Sequence, residues 1–217
     1  MEGISRSGHF QEVRTSKGTL KAKHVLLATG GYTTSMFPKA RHGVFPVGSY
    51  IIVTEPLSEK IQQELSPNNR VFYDSKIFLN YFCLSPDGRM MLGGRANLSP
   101  NLDLRKSAGL LHQRLLEIFP QLQGVPITHS WTGKLGVSFD QMPHIGIIDG
   151  VHYAYGYSGH GISIGSYLGK EVGELIAGKR QTSPFMEIKH PRTALARFDQ
   201  LYLPFVSAYF KFRDAIS

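Results

Sequence analysis

Cysteine, charge and long hydrophobic stretches are all scarce in this chain of 217 residues. Cys83 is the single cysteine, which excludes an internal disulfide and a multi-cysteine metal site and is compatible with a reducing compartment. No apolar run approaches the ~18 to 20 residues that span a bilayer, and residues 1–6 lack the basic and apolar segments of a signal peptide. We therefore expect a cytoplasmic protein with no membrane segment and no bound metal.

The charge balance is positive, with 24 basic and 16 acidic residues and a formal charge of +8 when histidine is neutral. The basic residues are dispersed, and no basic run with interleaved aromatics, zinc-finger spacing or helix-turn-helix pattern is present. A nucleic-acid partner is therefore not expected. A positive surface equally favours an anionic cofactor, an acidic substrate or an acidic partner chain.

Hydrophobic periodicity predicts an alternation of strands and helices. Strands are predicted as a hairpin within 13–22, a buried strand at 25–28 covered on both faces, and further strands at 50–54, 71–73, 78–84, 90–94, 127–131, 145–148 and 152–155. Ser85-Pro86-Asp87-Gly88 predicts a hairpin turn. Helices are predicted at 102–119, at 162–177 and within 193–215, the last broken at Pro204.

This order of elements predicts an α/β (α+β) fold in which the two ends of the chain form one α/β unit and a mostly antiparallel sheet interrupts it. The predicted domains are residues 1–45 with 128–217, and residues 46–127. The sequence has no internal repeat, low-complexity tract or flexible linker.

The segment 155–163, Tyr-Gly-Tyr-Ser-Gly-His-Gly-Ile-Ser, joins a predicted strand to a predicted helix with almost no side-chain bulk. Unpaired N–H groups and the helix dipole at such a start suit a phosphate, a carboxylate or an electron-rich ring edge. Two other interpretations remain open, namely a tight structural turn and an anion-binding regulatory module. His160 either faces a bound ligand or is a hydrogen-bonded turn residue, whereas Asp140 and His144 are expected to be structural.

Four segments in order along the chain resemble the D-amino-acid-oxidase-like family of flavoenzymes. They are residues 23–32 (KHVLLATGGY), 88–94 (GRMMLGG), 131–134 with 140–146 (WTGK and DQMPHIG), and 156–161 (GYSGHG). The resemblance is strongest to the gamma-glutamylputrescine oxidoreductase-like branch. It implies a partial FAD-binding, Rossmann-like domain and a substrate domain built on the antiparallel sheet.

The resemblance also implies non-covalent FAD and a set of contacts to it. The implied cofactor-binding residues are Thr29, Gly30, Gly31, Gly133, Ser158, Gly159, His160, Gly161 and Ile162. Tyr50, Tyr81 and Trp131 are candidates for an amine pocket, because aromatic faces attract cationic nitrogen, although core packing is the alternative for each. No catalytic residue is predicted, since the cofactor itself supplies the electron sink.

Departures from the family pattern are equally informative. The sequence has no G-x-G-x-x-G turn with a following acidic residue, so the chain resembles the C-terminal portion of such an enzyme. Cys83 stands where many members carry an arginine that grips a carboxylate, which favours a polyamine-like substrate unless another arginine, such as Arg95, takes over.

The leading hypothesis is therefore a truncated FAD-dependent oxidoreductase that oxidises a C–N bond of a small-molecule amine or amino acid. The imine product would then hydrolyse. On this hypothesis the isolated chain binds FAD weakly or not at all. The alternative is a non-catalytic remnant or subunit that needs a missing N-terminal half or a partner chain.

Overall fold

The computed structural model describes residues 1–95 and 97–216 and contains eleven strands and six α-helices within them. The strands are β1 (Gly3–Ser7), β2 (Phe10–Thr15), β3 (Gly18–Ala22), β4 (Leu26–Leu27), β5 (Phe45–Pro56), β6 (Phe72–Tyr73), β7 (Tyr81–Leu84), β8 (Arg89–Gly94), β9 (Ile127–Val137), β10 (His144–Ile148) and β11 (Val151–Tyr155). The helices are α1 (Pro38–Arg41), α2 (Glu59–Leu65), α3 (Leu104–Ile118), α4 (Gly161–Ile176), α5 (Pro184–Glu187) and α6 (Asp199–Ile216). None of these helices is long and apolar enough to cross a membrane.

The mixed α/β class is confirmed, and so are the two best-patterned helices. Asp103 caps α3 by accepting a hydrogen bond from the backbone N–H of Lys106 at 2.8 Å. Gly178, at φ +68°, ends the turn after α4, where the N–H of Lys179 bonds to the carbonyl of Glu174. A local signal at the start of α3 and another at the end of α4 therefore agree with the hydrophobic periodicity of these helices.

Two predictions about elements are wrong. Helix α6 continues through Pro204, because this proline is only the sixth helical residue and removes a single backbone hydrogen bond. The predicted strand 25–28 is reduced to β4, and it is not covered on both faces, since Leu27 is 3% exposed but Leu26 is 40% exposed. Within the described residues β4 forms an edge of its sheet and pairs with β11 alone.

The chain divides into two compact units. Unit 1 comprises Met1–Val47 and Lys134–Asp199, and unit 2 comprises Gly48–Gly133 with the chain from Gln200 onward. Strands β5 and β9 therefore contribute residues to both units. The predicted domains differ from these units chiefly at the C-terminal helix, which was predicted to join the first domain.

Unit 1 contains the antiparallel sheet β1–β2–β3 and a second sheet in the order β10–β11–β4. In the second sheet β11 is antiparallel to β10 but parallel to β4, with His152 opposite Leu26 and Tyr153 opposite Leu27. Alternation along β11 buries Tyr153 and Tyr155 in one core and Ala154 in another. Helix α4 packs Leu168 and Val172 against the Ala154 side, so the strand and helix that flank the glycine-rich turn are both anchored.

Unit 2 is built on the five-stranded sheet β6–β7–β8–β5–β9. One face of this sheet packs on α3 and is buried, its core residues including Tyr50, Ile52, Leu92, Leu111 and Leu115. In the register of the other face, Tyr81 of β7 and Ile51 of β5 both pair with Gly93 of β8.

The loop before β7 is held by two carboxylates in unit 2. Asp74 accepts hydrogen bonds from the backbone N–H and the side-chain amide of Asn80, at 3.0 and 2.6 Å. Asp214, in the last turn of α6, accepts from the backbone N–H groups of Ile77 and Phe78, at 2.8 and 2.9 Å. The loop that delivers Tyr81 to the sheet is therefore fixed from both the local chain and the C-terminal helix.

Candidate cofactor and substrate sites

The glycine-rich turn after β11 has a backbone that only small residues readily adopt. Gly156 and Gly159 have φ values of +83° and +106°, and Ser158 between them has φ +51°. The turn is closed by the N–H of His160, which donates to the carbonyl of Tyr157 at 2.8 Å. The chain therefore reverses sharply and enters α4 at Gly161.

The start of α4 is open. A Cβ built on Gly161 would meet only a ring carbon of Tyr157 at 3.8 Å, and one on Gly159 would meet only Leu135 at 3.9 Å. His160 gives no side-chain cap, the first turn carries no acidic residue, and Ile162 is 93% exposed. The positive end of a helix of 16 residues thus faces an unobstructed surface with an apolar side chain beside it.

A second glycine turn follows β4, and its two glycines are in different environments. Gly30 has φ +51° and nothing within 4 Å of the place that a Cβ would take, whereas a Cβ on Gly31 would lie 2.6 Å from the carbonyl oxygens of Lys134 and Leu135. Gly136 is equally close to Gly30 and Gly31, with a Cβ 2.7 Å from their backbone atoms. Gly31 and Gly136 are therefore glycines because two backbones touch there.

Both glycine turns lie at the same edge of the sheet in unit 1. Since β4 and β11 are parallel, their carboxyl ends point the same way, and the turns at Gly30 and Gly156 follow those ends. Residues 134–136 bridge the two, contacting Gly31 on one side and accepting a hydrogen bond from the N–H of Ser158 at the carbonyl of Gly136 on the other. Ligands of open α/β sheets bind outside the carboxyl ends of the parallel strands.

Several of the predicted cofactor-binding residues also make contacts within the fold. The N–H groups of Ser158 and His160 are already bonded within the fold, so these two are not free to donate to a ligand. The hydroxyl of Thr29 bonds to that of Thr33 at 2.7 Å, and Thr33 bonds to the carbonyl of Gly30. Gly31 packs against residues 134–135, whereas Gly30, Gly159, Gly161 and Ile162 are open positions.

A cluster formed by Asp140, His144 and His190 lies near Gly156, the first glycine of the glycine-rich turn. His144 is fully buried, and its Nε2 lies 3.0 and 3.1 Å from the carboxylate oxygens of Asp140. Its ring stacks on that of His190 with centroids 4.0 Å apart, and His190 in turn bonds to the carbonyl of Gly43. The sequence indicated structural roles for Asp140 and His144 but gave no signal for His190, which lies 46 positions after His144 along the chain.

This cluster has perturbed proton affinities. Burial lowers the pKa of His190 to about 4, and the neighbouring His144 and Arg192 add to the effect. Burial alone would raise the pKa of the Asp140 carboxyl, but hydrogen bonds from His144 and the N–H of Met142 hold that pKa below its usual value. His190 is therefore neutral and Asp140 ionised at neutral pH.

The cluster supports the glycine-rich turn through the loop 138–142. Asp140 accepts from the N–H of Met142 at 3.1 Å, and Ser138 donates to the carbonyl of Met142 at 2.7 Å. That carbonyl lies 2.9 Å from the position of a Cβ on Gly156. The first glycine of the turn is thus packed against a loop that Asp140 and His144 hold in place.

The candidates for an amine pocket are in unit 2 and have unequal exposure. Tyr50 is 1% exposed and belongs to the core, where its hydroxyl accepts from the N–H of Leu102 at 2.9 Å, so the pocket interpretation of Tyr50 is wrong. Tyr81 lies on the opposite face of the sheet, packed over Gly93, with its hydroxyl 3.1 Å from that of Ser49. Trp131 is 44% exposed in β9, which also carries Gly133.

The open start of α4 fits the ring of a flavin dinucleotide. An uncapped helix start, flanked by glycines that leave the space of a side chain empty, suits the ring edge of a flavin, where negative charge accumulates on reduction. Gly159, Gly161 and Ile162 would hold that edge, and Gly30 leaves room for the dinucleotide at the neighbouring turn.

Comparison with known proteins agrees with FAD as the implied cofactor. Residues 1–175 match the model of the family described as FAD dependent oxidoreductase, and the chain belongs to this family. Among curated proteins it is 33% identical to gamma-glutamylputrescine oxidoreductase of Escherichia coli over 210 residues, covering 94% of this chain and 49% of that protein. It is 31% identical to the probable oxidoreductase OrdL of Haemophilus influenzae, with 94% and 48% covered. The chain spans about half the length of these relatives.

Solved structures show the same fold. Glycine oxidase from Geobacillus kaustophilus superposes with a TM-score of 0.70 at 19% identity, covering 89% of this chain and 51% of that one. L-proline dehydrogenase from P. horikoshii gives a TM-score of 0.67 at 23% identity, covering 84% and 50%. At these identities the likeness extends to the fold, and the substrate has to be argued from the residues of this chain.

Proposed function

We propose that this chain supplies the flavin-ring contacts and a substrate-binding sheet of an FAD-dependent oxidoreductase acting on amines or amino acids. The observation that carries the proposal is the open, uncapped start of α4 beside a second glycine turn at the same sheet edge. Membership of the FAD dependent oxidoreductase family supports it. The relative named gamma-glutamylputrescine oxidoreductase favours an amine as the substrate.

In the proposed reaction a C–N bond of the substrate is oxidised to an imine, with loss of two electrons and two protons. Water then hydrolyses the imine to a carbonyl compound and the remaining amine. When bound, FAD supplies the two-electron acceptor. The protein is left with binding, orientation and electrostatic tuning, so no residue of this chain is required as a catalytic base.

Three features of unit 1 would perform those tasks. The N–H groups and dipole of α4 stabilise negative charge at its start. Gly159 and Gly161 allow a planar ring to approach the backbone closely, because a Cβ at either position would occupy the open space. The Asp140 and His144 pair holds the loop against Gly156 and so keeps the turn in one conformation.

Titration of the purified chain with FAD, followed by flavin fluorescence and visible absorption, tests this proposal. We expect binding to be weak, because the sequence contains no G-x-G-x-x-G turn to receive the pyrophosphate. Gly161→Val should weaken it by several-fold, whereas Gly169→Val, on an exposed part of the same helix with nothing within 4 Å, should not. Equal effects of both variants on FAD binding would contradict the proposal.

Amines should bleach the bound flavin under anaerobic conditions. We expect secondary or primary amines with an extended chain to act faster than small D-amino acids such as D-alanine. Stopped-flow absorbance with the FAD-loaded protein measures both rates. Fastest bleaching by D-alanine would contradict the expected substrate class and leave the FAD assignment in place.

A further inference from the structure

Helix α6 has a second apolar face, which the described residues leave exposed. On one side of the helix Leu203 and Ser207 are buried, and Asp214 bonds to the loop before β7. The other side carries five large apolar residues that are each between 55% and 78% exposed, namely Leu201, Phe205, Tyr209, Phe212 and Ile216. Together with Ala208, which is also exposed, they are called the α6 stripe below.

The α6 stripe is narrow and uncharged. Successive residues of an α-helix turn by about 100°, so all six positions fall within an arc of about 100°, opposite Leu203 and Ser207. No charged residue falls within that arc, and Lys211 and Arg213 lie on either side of it. An apolar arc of this width is typical of the side that a helix buries.

The area of the α6 stripe is large for a surface that stays in water. An aromatic side chain covers about 200 Å², so the exposed parts of Phe205, Tyr209 and Phe212 amount to on the order of 400 Å² before Leu201 and Ile216 are added. Monomeric soluble proteins rarely expose contiguous apolar patches above a few hundred Å². Two such stripes in contact would bury on the order of 1,000 Å², which reaches the lower limit for a specific interface.

The order of residues in the α6 stripe is symmetric. The spacings from Leu201 to Ile216 are four, three, one, three and four residues, which read the same from either end. When a second copy of the helix runs antiparallel in the matching register, Leu201 lies opposite Ile216 and Phe205 lies opposite Phe212 of the other copy. A two-fold interface requires such an order, because residue i contacts residue j wherever j contacts i.

The flanking charges favour the antiparallel orientation. Lys211 and Arg213 both lie near the C-terminal end of the helix. In a parallel pair they would approach the same cations of the other copy, which is unfavourable. In the antiparallel register they lie beside positions 206 and 204 of the other copy, which are valine and proline.

We propose that the α6 stripe pairs antiparallel with the α6 stripe of a second copy of this chain and so forms a two-fold symmetric dimer. Leu201, Phe205, Ala208 and Phe212 follow the alternating spacing of four and three residues that suits side-by-side packing of two helices. Ala208 and Tyr209 lie at the two-fold axis, where the small alanine leaves room for the tyrosine ring of the other copy. The inference does not depend on the proposed function, since pairing of the helices requires no FAD.

A pair of charge variants tests both the dimer and its register. The first combines Phe205→Lys with Phe212→Lys, and the second combines Phe205→Lys with Phe212→Glu. In the antiparallel register position 205 meets position 212 of the other copy, so the first variant places like charges together and the second places opposite charges together. Sedimentation velocity of the full chain over a range of concentrations measures the dissociation constant of each dimer.

We expect the wild-type chain to dimerise and the first variant to raise the dissociation constant at least about a hundredfold, because it removes two central aromatic anchors. The second variant should bind at least about tenfold more tightly than the first. The control combines Leu20→Lys with Val71→Lys, at two exposed apolar positions outside the stripe, and should leave the dissociation constant unchanged. Circular dichroism and thermal denaturation check that every variant is folded.

Four results would overturn the dimer. They are a wild-type chain that stays monomeric at every concentration, a dimer that the first variant does not weaken, equal dissociation constants for the two charge variants, and equal weakening by the control. A monomeric wild-type chain that cosediments with phosphatidylglycerol vesicles, and loses this binding in the second variant, would assign the stripe to a lipid surface instead.

Discussion

The two glycine turns of unit 1 look alike in sequence but use glycine for opposite reasons. After β4, Gly31 is needed because the backbone of residues 134–135 occupies the space of its side chain. After β11, Gly159 and Gly161 have empty space where a side chain would be, and Gly159 is constrained by its φ of +106°. At Gly31 backbone atoms fill the space that a side chain would take, whereas at Gly159 and Gly161 that space is open.

The residues packed against the two turns also differ. The β4 turn rests on uncharged backbone, whereas Gly156 of the β11 turn rests on a loop held by Asp140 and His144, with His190 stacked behind. The β11 turn should therefore respond to pH and accept a methyl group at Gly161. The β4 turn should not respond to pH and should not accept a methyl group at Gly31.

Among the substitutions that distinguish the two turns, Gly31→Ala should lower the free energy of unfolding the most. The new Cβ would lie 2.6 Å from two carbonyl oxygens that cannot rotate away, and we expect the free energy of unfolding to fall by about 3 kcal/mol. Urea denaturation followed by circular dichroism measures this. Gly30→Ala is the control, because it meets no atom and should cost only about 1 kcal/mol for its positive φ.

Gly159→Ala should come next. No atom lies nearer than 3.9 Å to the new Cβ, so the cost is that of holding alanine at φ +106°, about 1 to 2 kcal/mol in the free energy of unfolding. The same denaturation experiment applies. A loss as large as that of Gly31→Ala would show that the β11 turn is packed rather than open.

His190→Gln should flatten the dependence of stability on pH. Histidine in the unfolded chain titrates near 6.5, and burial lowers the pKa of His190 to about 4, so the unfolded state binds more protons between these values. The contribution of His190 to the free energy of unfolding is fully present above about pH 6.5 and is lost as the pH falls toward 4. We expect the wild type to lose about 1 kcal/mol more than the variant between pH 7 and 5, after allowing for the partial exposure of the ring.

Glutamine keeps a donor for the carbonyl of Gly43, so the comparison removes titration and not the hydrogen bond. Asp140 does not share this window, because the stability that its lowered pKa contributes is present above the usual value of 3.8 and is lost only as the pH falls below that value. Parallel pH profiles of the two proteins would show that His190 does not titrate within the native cluster.

Gly161→Ala should have the smallest effect on stability, within about 0.5 kcal/mol, because the new methyl group lies 3.8 Å from the Tyr157 ring and alanine is a good helix former. FAD binding should nevertheless weaken in proportion to side-chain size from Gly161 through alanine to valine. Thermal denaturation and FAD titration of the same samples measure the two properties. A stability loss matching that of Gly31→Ala would remove the distinction between the turns.

The sequence predicted the elements that carry strong local signals. Helix α3 was found from its hydrophobic stripe and its position before Pro120, and the hairpin at 85–88 from its turn residues, where Gly88 has φ +76°. The helix break predicted at Pro204 is wrong because the cost of proline depends on its distance from the helix start. The exposure of Leu26 could not be predicted, since an apolar run does not reveal how many neighbours its strand has.

In the candidate site, sequence reasoning placed the glycine-rich turn and the open start of α4. The sequence did not distinguish Gly31, where neighbouring backbone leaves no room for a side chain, from Gly161, where the space is open. The difference depends on residues 134–136, which are over a hundred positions from Gly31 along the chain. Sequence reasoning also kept Tyr50 and Tyr81 together as pocket candidates. Their strands run in one sheet, and the register that sends them to opposite faces is a tertiary property.

The hydrogen bonds of Asp214 to the loop before β7 imply an unequal tolerance to mutation. Residues 77 and 214 are 137 positions apart, yet the bond between them uses the side chain of only one, since Asp214 accepts from a backbone N–H. Any residue except proline can supply that N–H, and the Ile77 side chain is 40% exposed. Homologous sequences should therefore vary freely at position 77 while keeping an acidic residue at 214, and covariation analysis would miss this contact.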